Sequence, residues 1–218
     1  KSGEEMHASL LEMLESAKKF IFLEFFIISE GEMWGSVLEI LARKAREGVE
    51  VRVLYDGMCE FSTLSRDYPQ RLERLNVKCR SFSPITPFVS THYNYRDHRK
   101  ILVIDGAVAF TGGVNLADEY INRKRRFGHW KDTAVMLKGD AVQSLTMMFL
   151  QMWNVNEKRP ENYVDYLTPR AKGLRRELGY VIPYADSPFD VVRRTNDTHY
   201  PTTPIKVEPN TSFAALWE

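Results

Sequence analysis

The stretch HRKILVIDGAVAFTGGVN, residues 98–115, decides how the middle of the chain folds. Two short apolar runs, ILVI and VAF, stand on either side of Asp105-Gly106, a dipeptide that favours the tight turn of a β-hairpin. The second run leads to Gly112-Gly113, where the backbone can approach a neighbour or a ligand closely. We therefore predict that the stretch up to Gly113 forms two antiparallel strands that turn at Asp105-Gly106.

The sequence on both sides of this hairpin alternates between strand and helix patterns. Short β-branched and aromatic runs predict strands, and apolar residues at helical spacing predict helices. The further strands are predicted at residues 20–28, 49–57, 77–82 and 129–139, and the helices at residues 4–20, 32–48, 66–76 and 140–156. This alternation predicts an α/β protein in which a mixed β-sheet is flanked by helices, an α/β/α sandwich.

The regular patterns stop near residue 157, and this sets the predicted domain boundary. Residues 1–157 are predicted to form one domain. Residues 158–190 lack sustained periodicity and are predicted to be a linker. Residues 191–218, rich in Pro, Thr and Asn, are predicted to be an irregular tail.

Composition and charge narrow the classes of function. The formal net charge is +1, so the chain as a whole has no excess of positive charge that would favour nucleic acid as a partner. Cys59 and Cys79 form no CxxC pattern and have no histidine at ligand spacing, which argues against a zinc site. The longest apolar run, residues 20–28, is interrupted by Glu24 and is too short to span a bilayer.

The first strand of the hairpin begins with a histidine and a lysine. Because side chains alternate along a strand, we expect His98 and Lys100 to point to one face and Arg99 to the other. An ammonium group binds a phosphate oxygen as a point charge, and an imidazole serves as a neutral nucleophile or as a general acid near neutral pH. The pair therefore suits an anionic substrate.

The return strand adds backbone and amide groups to the same site. Gly113 permits close approach, and Asn115 can donate amide hydrogens to a phosphate. Asp105 lies at an odd offset from His98 and is expected to anchor the turn rather than touch the reacting phosphorus. A His-x-Lys pair alone is most often an ordinary surface pair, but the whole string is far more specific and favours stabilisation of a pentacoordinate phosphorus.

These residues carry a family resemblance. HRKILVID (98–105) with GGVN (112–115) resembles the HKD motif of the phospholipase D superfamily. Three longer segments resemble the N-terminal catalytic half of bacterial cardiolipin synthases. They are NYRDHRKILVIDG, FTGGVNLADEYIN and HWKDTAVMLKGDAVQSLTMMFLQMWN. The resemblance runs over roughly residues 1–190.

The resemblance implies a two-step phosphatidyl transfer that needs no metal and no other cofactor. One histidine attacks a phosphodiester to form a phosphohistidine, and a second histidine, from another HKD motif, protonates the leaving alcohol. Both substrates are phosphatidylglycerol, and the products are cardiolipin and glycerol. His98 is then the nucleophile or the acid, Lys100 and Asn115 hold phosphate, and Asp105 completes the motif. The expected location is the cytoplasmic face of the bacterial cell membrane.

Two further carboxylates are candidates for the site. The resemblance implies that Asp132 orients the histidine and fixes its tautomer, and the alternative is a strand-end residue in a turn or surface pair. Glu24 interrupts an apolar strand, where a carboxylate is costly unless it is paired. Either it faces the substrate phosphate, beside Lys100 or Arg99, or it forms a structural salt bridge.

A run of basic residues, 123–126, follows the site, and it either meets anionic headgroups of a membrane surface or is a solvated loop. The sequence departs from the family because it carries one HKD motif instead of two. GYVIPYADSPFD (179–190) resembles the beginning of a second half, but His199 is followed by Tyr200-Pro201 with no lysine two positions on. The membrane helices of the family are also absent from the sequence.

Three interpretations stay open. The chain is a fragment whose second half lies in the same full-length chain, a half-enzyme completed by homodimerisation, or an inactive remnant; the irregular tail favours a fragment or a truncated gene. Two rival functions remain beside cardiolipin synthesis. One is a homodimeric nuclease or phosphodiesterase of the same superfamily, and the other is an inactive membrane- or partner-binding module.

Overall fold

The fold is described by a computed structural model, which covers residues 2–84, 96–126, 128–155, 157–158, 161–167, 181–184 and 212–217. The helices are α1 (Gly3–Glu15), α2 (Glu32–Arg46), α3 (Cys59–Ser62), α4 (Tyr68–Glu73) and α5 (Ala141–Trp153), with 3-10 helices at Asp118–Ile121 and Tyr163–Tyr166. The strands are β1 (Phe20–Phe25), β2 (Glu50–Asp56), β3 (Lys78–Phe82), β4 (Lys100–Ile104), β5 (Val108–Gly112), β6 (Ala134–Lys138) and β7 (Ser212–Trp217).

The strands form one mixed sheet in the order β3-β2-β1-β4-β5-β6-β7. The strands β1, β2 and β3 run parallel, and every pair from β1–β4 to β6–β7 is antiparallel. The prediction of an α/β protein with a mixed sheet is confirmed. Each predicted strand and helix overlaps an observed element, and the short helix α3, the two 3-10 helices and the strand β7 are additions.

Side-chain alternation along β1 divides the core into two layers. Ile21 and Leu23 pack with α1 and α2 on one face of the sheet, whereas Phe20 and Phe22 pack with α5 on the other. The ring of Phe149 on α5 stacks on Phe22 with centroids 4.7 Å apart. Helices therefore cover both faces, as the predicted sandwich requires, and β1 is buried along its whole length.

The central hairpin turns where the sequence predicts. Asp105 and Gly106 have φ of 53° and 65°, the left-handed values that a tight hairpin turn of the primed type needs. The strand β4 begins only at Lys100, however, so the prediction that His98 and Arg99 lie on a strand is wrong. Residues 96–99 have no regular secondary structure.

The segments after α5 are described in part. Within the predicted linker, the 3-10 helix Tyr163–Tyr166 packs its rings against the α5 side of the core. Within the predicted tail, the structure describes β7, which pairs with β6. Most of the remainder of both segments, including His199 and most of 179–190, lies outside the described residues. Among the helices that are described, none has the length and apolar character needed to cross a membrane.

Candidate active site

Three of the predicted site residues, His98, Lys100 and Asn115, meet around the carboxyl end of β1. Phe25, the last residue of β1, pairs with Lys100 at the start of the antiparallel strand β4. Two residues beyond, the amide of Ile27 donates to Oδ1 of Asn115 at 2.9 Å, just after β5. The antiparallel order of β1, β4 and β5 thus brings the two ends of the hairpin to one place.

The side chain of His98 is exposed at this end of the sheet and packs against an aromatic ring. Its imidazole lies over Phe26 with ring centroids 4.0 Å apart. Nζ of Lys100 is 3.5 Å from Nδ1 of His98 and donates to the carbonyl oxygen of His98 at 2.5 Å. Partial burial, followed by the charge of Lys100, lowers the pKa of His98 below its ordinary value. The neutral imidazole, which is the nucleophilic form, is therefore favoured near pH 7.

Lys100 is buried, and the face of Phe26 lies 5.3 Å from its ammonium group. Burial lowers the pKa of Lys100, and the carboxylates of Asp132 and Asp97 act in the opposite direction. His98 and Lys100 do point to one place, as the alternation argument expected, although the histidine precedes the strand.

Asn115 is fixed in one orientation by two hydrogen bonds. Its Oδ1 accepts from Ile27, and its Nδ2 donates to the hydroxyl of Tyr120 at 2.7 Å. Asn115 is buried, and within the described structure the second hydrogen of Nδ2 remains available for an anion. The sequence analysis did not identify Tyr120, although it lies five positions after Asn115 in the segment FTGGVNLADEYIN.

Gly113 and Asp132 form a close contact with each other. A Cβ atom on Gly113 would overlap Oδ1 of Asp132, so a larger residue here would require the Asp132 side chain to move. The amide of Gly113 donates to the carbonyl of Thr133 at 2.8 Å. The amide of Gly113 is therefore already bonded and is not free to bind phosphate in the way that the sequence predicts. The glycine instead makes room for Asp132.

Asp132 affects Lys100 rather than His98. Its Oδ1 accepts from the amide of Thr133 at 2.7 Å, and its charge raises the pKa of Lys100. The carboxylates that raise the pKa of His98 are Asp56 and Asp97. Among the described contacts, none supports the predicted orientation of His98 by Asp132.

Asp105 lies at the opposite end of β4. Its carboxylate accepts from the amides of Lys18, Lys19 and Phe20 at 2.7–2.9 Å. Five residues of strand separate it from Lys100 by roughly 17 Å. Its inclusion among the catalytic residues is therefore wrong in this geometry, and the expectation that it anchors the turn agrees with these contacts.

Glu24 faces away from Lys100. It pairs across the sheet with Ile101, and both side chains lie on the α5 face, whereas Lys100 pairs with Phe25 on the other. Oε1 of Glu24 is 2.7 Å from Nη2 of Arg99. Burial, and then the nearby charge of Asp97, raises the pKa of Glu24 well above its ordinary value. The prediction that Glu24 binds substrate phosphate is wrong; the salt-bridge alternative with Arg99 is the one observed.

A cluster that the sequence did not reveal lies beside Glu24. Nε of Arg99 donates to Oδ1 of Asp97 at 2.9 Å, and the amide of Asp97 donates to Oδ2 of Asp56 at 3.1 Å. Nη1 of Arg96 donates to Oδ1 of Asp56 at 3.2 Å. We name Glu24, Asp56, Arg96, Asp97 and Arg99 the buried charge cluster. The sequence signal was a charged residue on each side of His98.

Metal ligation has no candidate in the part of the chain that the structure describes. No three histidine, cysteine, aspartate or glutamate side chains there lie close enough to hold an ion. Cys59 and Cys79 are both buried free thiols.

Comparison with solved structures shows which known proteins share this fold. Nuc from Salmonella typhimurium, a phospholipase D family member, superposes with a TM-score of 0.51 at 15% identity, over 67% of this chain and 86% of that one. NucT from Helicobacter pylori gives a TM-score of 0.51 at 15% identity, over 70% and 89%. The fold is that of phospholipase D-like proteins.

Comparison of sequences then gives the family. Residues 10–153 match the family described as "Cardiolipin synthase, PLD-like domain", and the chain belongs to it. Cardiolipin synthases of Alkalihalophilus pseudofirmus and Geobacillus kaustophilus are each 41% identical, over 77% of this chain and 33% and 34% of their own lengths. An uncharacterized protein of Streptococcus mutans is 61% identical over 87% of this chain and 41% of its own. The chain thus spans about a third to two fifths of these relatives.

Proposed function

We propose that the chain is one half-site of a phosphatidyltransferase of cardiolipin synthase type, which joins two molecules of phosphatidylglycerol into cardiolipin and glycerol. The observation that carries the proposal is the contact of the His98 imidazole with both Phe26 and Lys100, in surroundings that lower its pKa. Kinship with the cardiolipin synthases supports the substrate class.

The proposed first step makes a covalent intermediate. The imidazole of His98 attacks the phosphorus of one phosphatidylglycerol, a nitrogen–phosphorus bond forms, and the bond from phosphorus to the glycerol oxygen breaks. The leaving glycerol takes up a proton. Lys100 and the unused hydrogen on Nδ2 of Asn115 compensate the charge on the pentacoordinate phosphorus, where fixed donors have their largest effect.

The second step restores the enzyme. The primary hydroxyl of a second phosphatidylglycerol attacks the phosphorus of the phosphohistidine and gives up its proton. An oxygen–phosphorus bond forms, the nitrogen–phosphorus bond breaks, and cardiolipin is released. A second HKD half is expected to supply the acid and base. It comes either from the same full-length chain or from a homodimer, and the share of the relatives that this chain spans favours the first source.

The substrate lies in a bilayer, so the site is expected to work at a membrane surface, on the cytoplasmic face of the bacterial cell membrane. The basic segment 123–126 belongs to a loop closed by Asn122, which bonds to Trp130 in both directions at 2.6 Å and 3.1 Å. The ring of Trp130 packs against Tyr120, so this loop adjoins the site. Each basic residue near an anionic surface contributes about 1 kcal/mol of attraction.

The test is a covalent adduct on His98. The chain is incubated with phosphatidylglycerol vesicles, digested and examined by mass spectrometry for a phosphatidyl group on the His98 peptide. His98→Ala is expected to abolish the adduct, and His129→Ala, which removes another imidazole from a nearby loop, is expected to retain it.

The outcomes separate the rival functions. When a second HKD half is present, a folded chain without an adduct and without turnover of any diester contradicts the catalytic proposal and favours the inactive module. Turnover of a nucleic-acid diester but not of the phospholipid favours the nuclease. Measurement of the mass in solution then distinguishes a monomer from a homodimer.

A further inference from the structure

Residues 96–99 carry the proposed nucleophile but belong to no helix or strand. Side chains therefore hold this segment in place of a ladder of backbone hydrogen bonds. The amide of Asp97 donates to Asp56 at the end of β2, at 3.1 Å. The amide of Arg99 donates to Oδ1 of Asp97 at 3.2 Å. The backbone amides of both residues next to His98 thus donate to buried carboxylates.

Glu24 connects this segment to the centre of the sheet. It projects from β1, which pairs with both β2 and β4. Nη2 of Arg99 is 2.7 Å from Oε1 of Glu24, and the same guanidinium group donates to both oxygens of Asp97, at 2.9 Å and 3.3 Å. Glu24, Arg99 and Asp97 therefore form a continuous link from a rigid strand to the residues on either side of His98.

The buried charge cluster contains one more carboxyl group than guanidinium groups. Glu24, Asp56 and Asp97 face Arg96 and Arg99, and all three carboxyl groups are almost completely buried. The helix α5, which covers this face, has no charged residue between Ala141 and Trp153. An uncompensated buried charge is costly, and a proton on one carboxyl group removes that cost.

Glu24 is the carboxyl group best placed to carry the proton. Neither of its oxygens receives a well-aligned hydrogen bond from the described residues, despite the short distance to Arg99. A protonated Glu24 donates its O–H to Asp97, which satisfies one of these oxygens. The pKa shifts agree, because that of Glu24 is raised while that of Asp97 is lowered by its contacts with Glu24 and Arg99.

We propose that Glu24 is a positioning residue for His98: its neutral carboxyl group, hydrogen-bonded to Asp97 and in contact with Arg99, fixes the backbone on both sides of the histidine. Glu24 acts through Asp97 and Arg99 and does not touch substrate. The proposal rests on the proposed role of His98.

The experiment measures position directly and uses no lipid. Amide hydrogen exchange is followed at Asp97 and Arg99, and the His98 imidazole is titrated by NMR, with its resonance assigned by comparison with His98→Gln. Glu24→Gln keeps the size and a neutral donor, so we expect wild-type exchange and titration. Glu24→Met removes the polar group at similar size. Exchange at both amides is expected to accelerate at least tenfold, and the His98 pKa to rise toward its ordinary value as the ring leaves Phe26 and Lys100.

A matched control separates positioning from general loosening. Leu54→Val trims the residue that pairs with Glu24 on β2 and lies on the same face, and it leaves the Glu24, Asp97 and Arg99 side chains unchanged. It is expected to leave both measurements unchanged. If Glu24→Met does not fold, Glu24→Asp, which keeps the carboxyl group but is one methylene shorter, is expected to give the same loss.

The proposal is overturned by wild-type exchange and titration in folded Glu24→Met or Glu24→Asp. It is equally overturned by Leu54→Val matching Glu24→Met, or by Glu24→Gln behaving like Glu24→Met, because then the neutral donor is not what holds the segment. All these measurements remain valid in a chain that transfers no phosphatidyl group. Failure of the proposed function and failure of this inference can therefore be distinguished.

Discussion

Nζ of Lys100 donates to the carbonyl oxygen of His98 at 2.5 Å and lies 3.5 Å from Nδ1 of the same residue. The lysine thus holds the backbone of the histidine and keeps a positive charge beside its ring. A second positive charge on the ring is unfavourable at this distance. One contact therefore places the proposed nucleophile and keeps it unprotonated.

Removal of this charge is predicted to raise the pKa of His98. Lys100→Met keeps the length of the side chain, so the imidazole loses the repulsion and titrates at higher pH. An NMR titration of the His98 resonance measures the change. Lys138→Met, on the distant strand β6, is the control and should leave the titration unaltered. An unchanged midpoint in Lys100→Met contradicts the assigned cause.

Tyr120→Phe is predicted to slow adduct formation at His98 about fivefold, since it removes one of the two hydrogen bonds that orient Asn115, and such a bond contributes about 1 kcal/mol. The change is expected in the maximal rate of labelling by phosphatidylglycerol, measured by mass spectrometry. Tyr163→Phe, on the second 3-10 helix, is the matched control. Equal rates in the two variants show that Tyr120 does not act on Asn115.

Asp105→Ala is predicted to reduce stability while leaving His98 reactive. Three backbone amides, two exposed and one partly buried, lose their acceptor, and such a hydrogen bond contributes about 1 kcal/mol. Urea unfolding measures the loss, with Asp165→Ala, a surface aspartate, as the control. Adduct formation per folded molecule should match the wild type. If folded Asp105→Ala forms no adduct, Asp105 takes part in catalysis.

The sheet and its hairpin were predictable because their signals are local. Alternation of apolar runs gives the strands, and Asp105-Gly106 has the backbone freedom that the turn requires. Periodicity did not reveal where β4 begins. A buried cluster interrupts the ladder before Lys100, and so His98 and Arg99 were wrongly assigned to the strand.

The buried charge cluster was not predictable from local patterns, because its members come from distant parts of the chain. Asp56 precedes Asp97 by 41 residues. The sequence showed that Glu24 needed a partner, but the choice between Lys100 and Arg99 depends on which face each residue occupies once β1 and β4 pair. That register is a tertiary property, and the same limit hid the link between Tyr120 and Asn115.

The segment after α5 is predicted to lose its attachment in acid. Both oxygens of Glu161 bond to Arg52, at 2.5 Å and 2.8 Å, which lowers the pKa of Glu161 to about 2. Because the folded pKa lies below the ordinary value, the stabilisation is present above about pH 4.5 and is lost as the pH falls toward 2. Urea unfolding of Glu161→Gln and wild type should converge over this range. Glu12→Gln, on the surface of α1, is the control.

Glu24 is predicted to produce the opposite dependence on pH. Its folded pKa is raised well above the ordinary value of 4.5, so the folded chain holds this proton more tightly than the unfolded chain. The stabilisation is therefore complete below about pH 4.5 and is lost as the pH rises through the folded pKa. Glu24→Gln is neutral at every pH and should lack this loss.

The measurement compares wild type and Glu24→Gln, because other titrating groups then cancel. The free energy of unfolding is measured with urea from pH 4.5 upward. As the pH rises, this free energy should fall in the wild type and not in Glu24→Gln, so the variant becomes more stable relative to the wild type. Among the described residues, Asp97, Arg99, Asp56 and Arg96 are the charged members of the cluster around Glu24, and each remains in both proteins. Parallel curves across the whole range mean that Glu24 does not hold its proton in the folded chain. The charge of the cluster would then have to be balanced in another way.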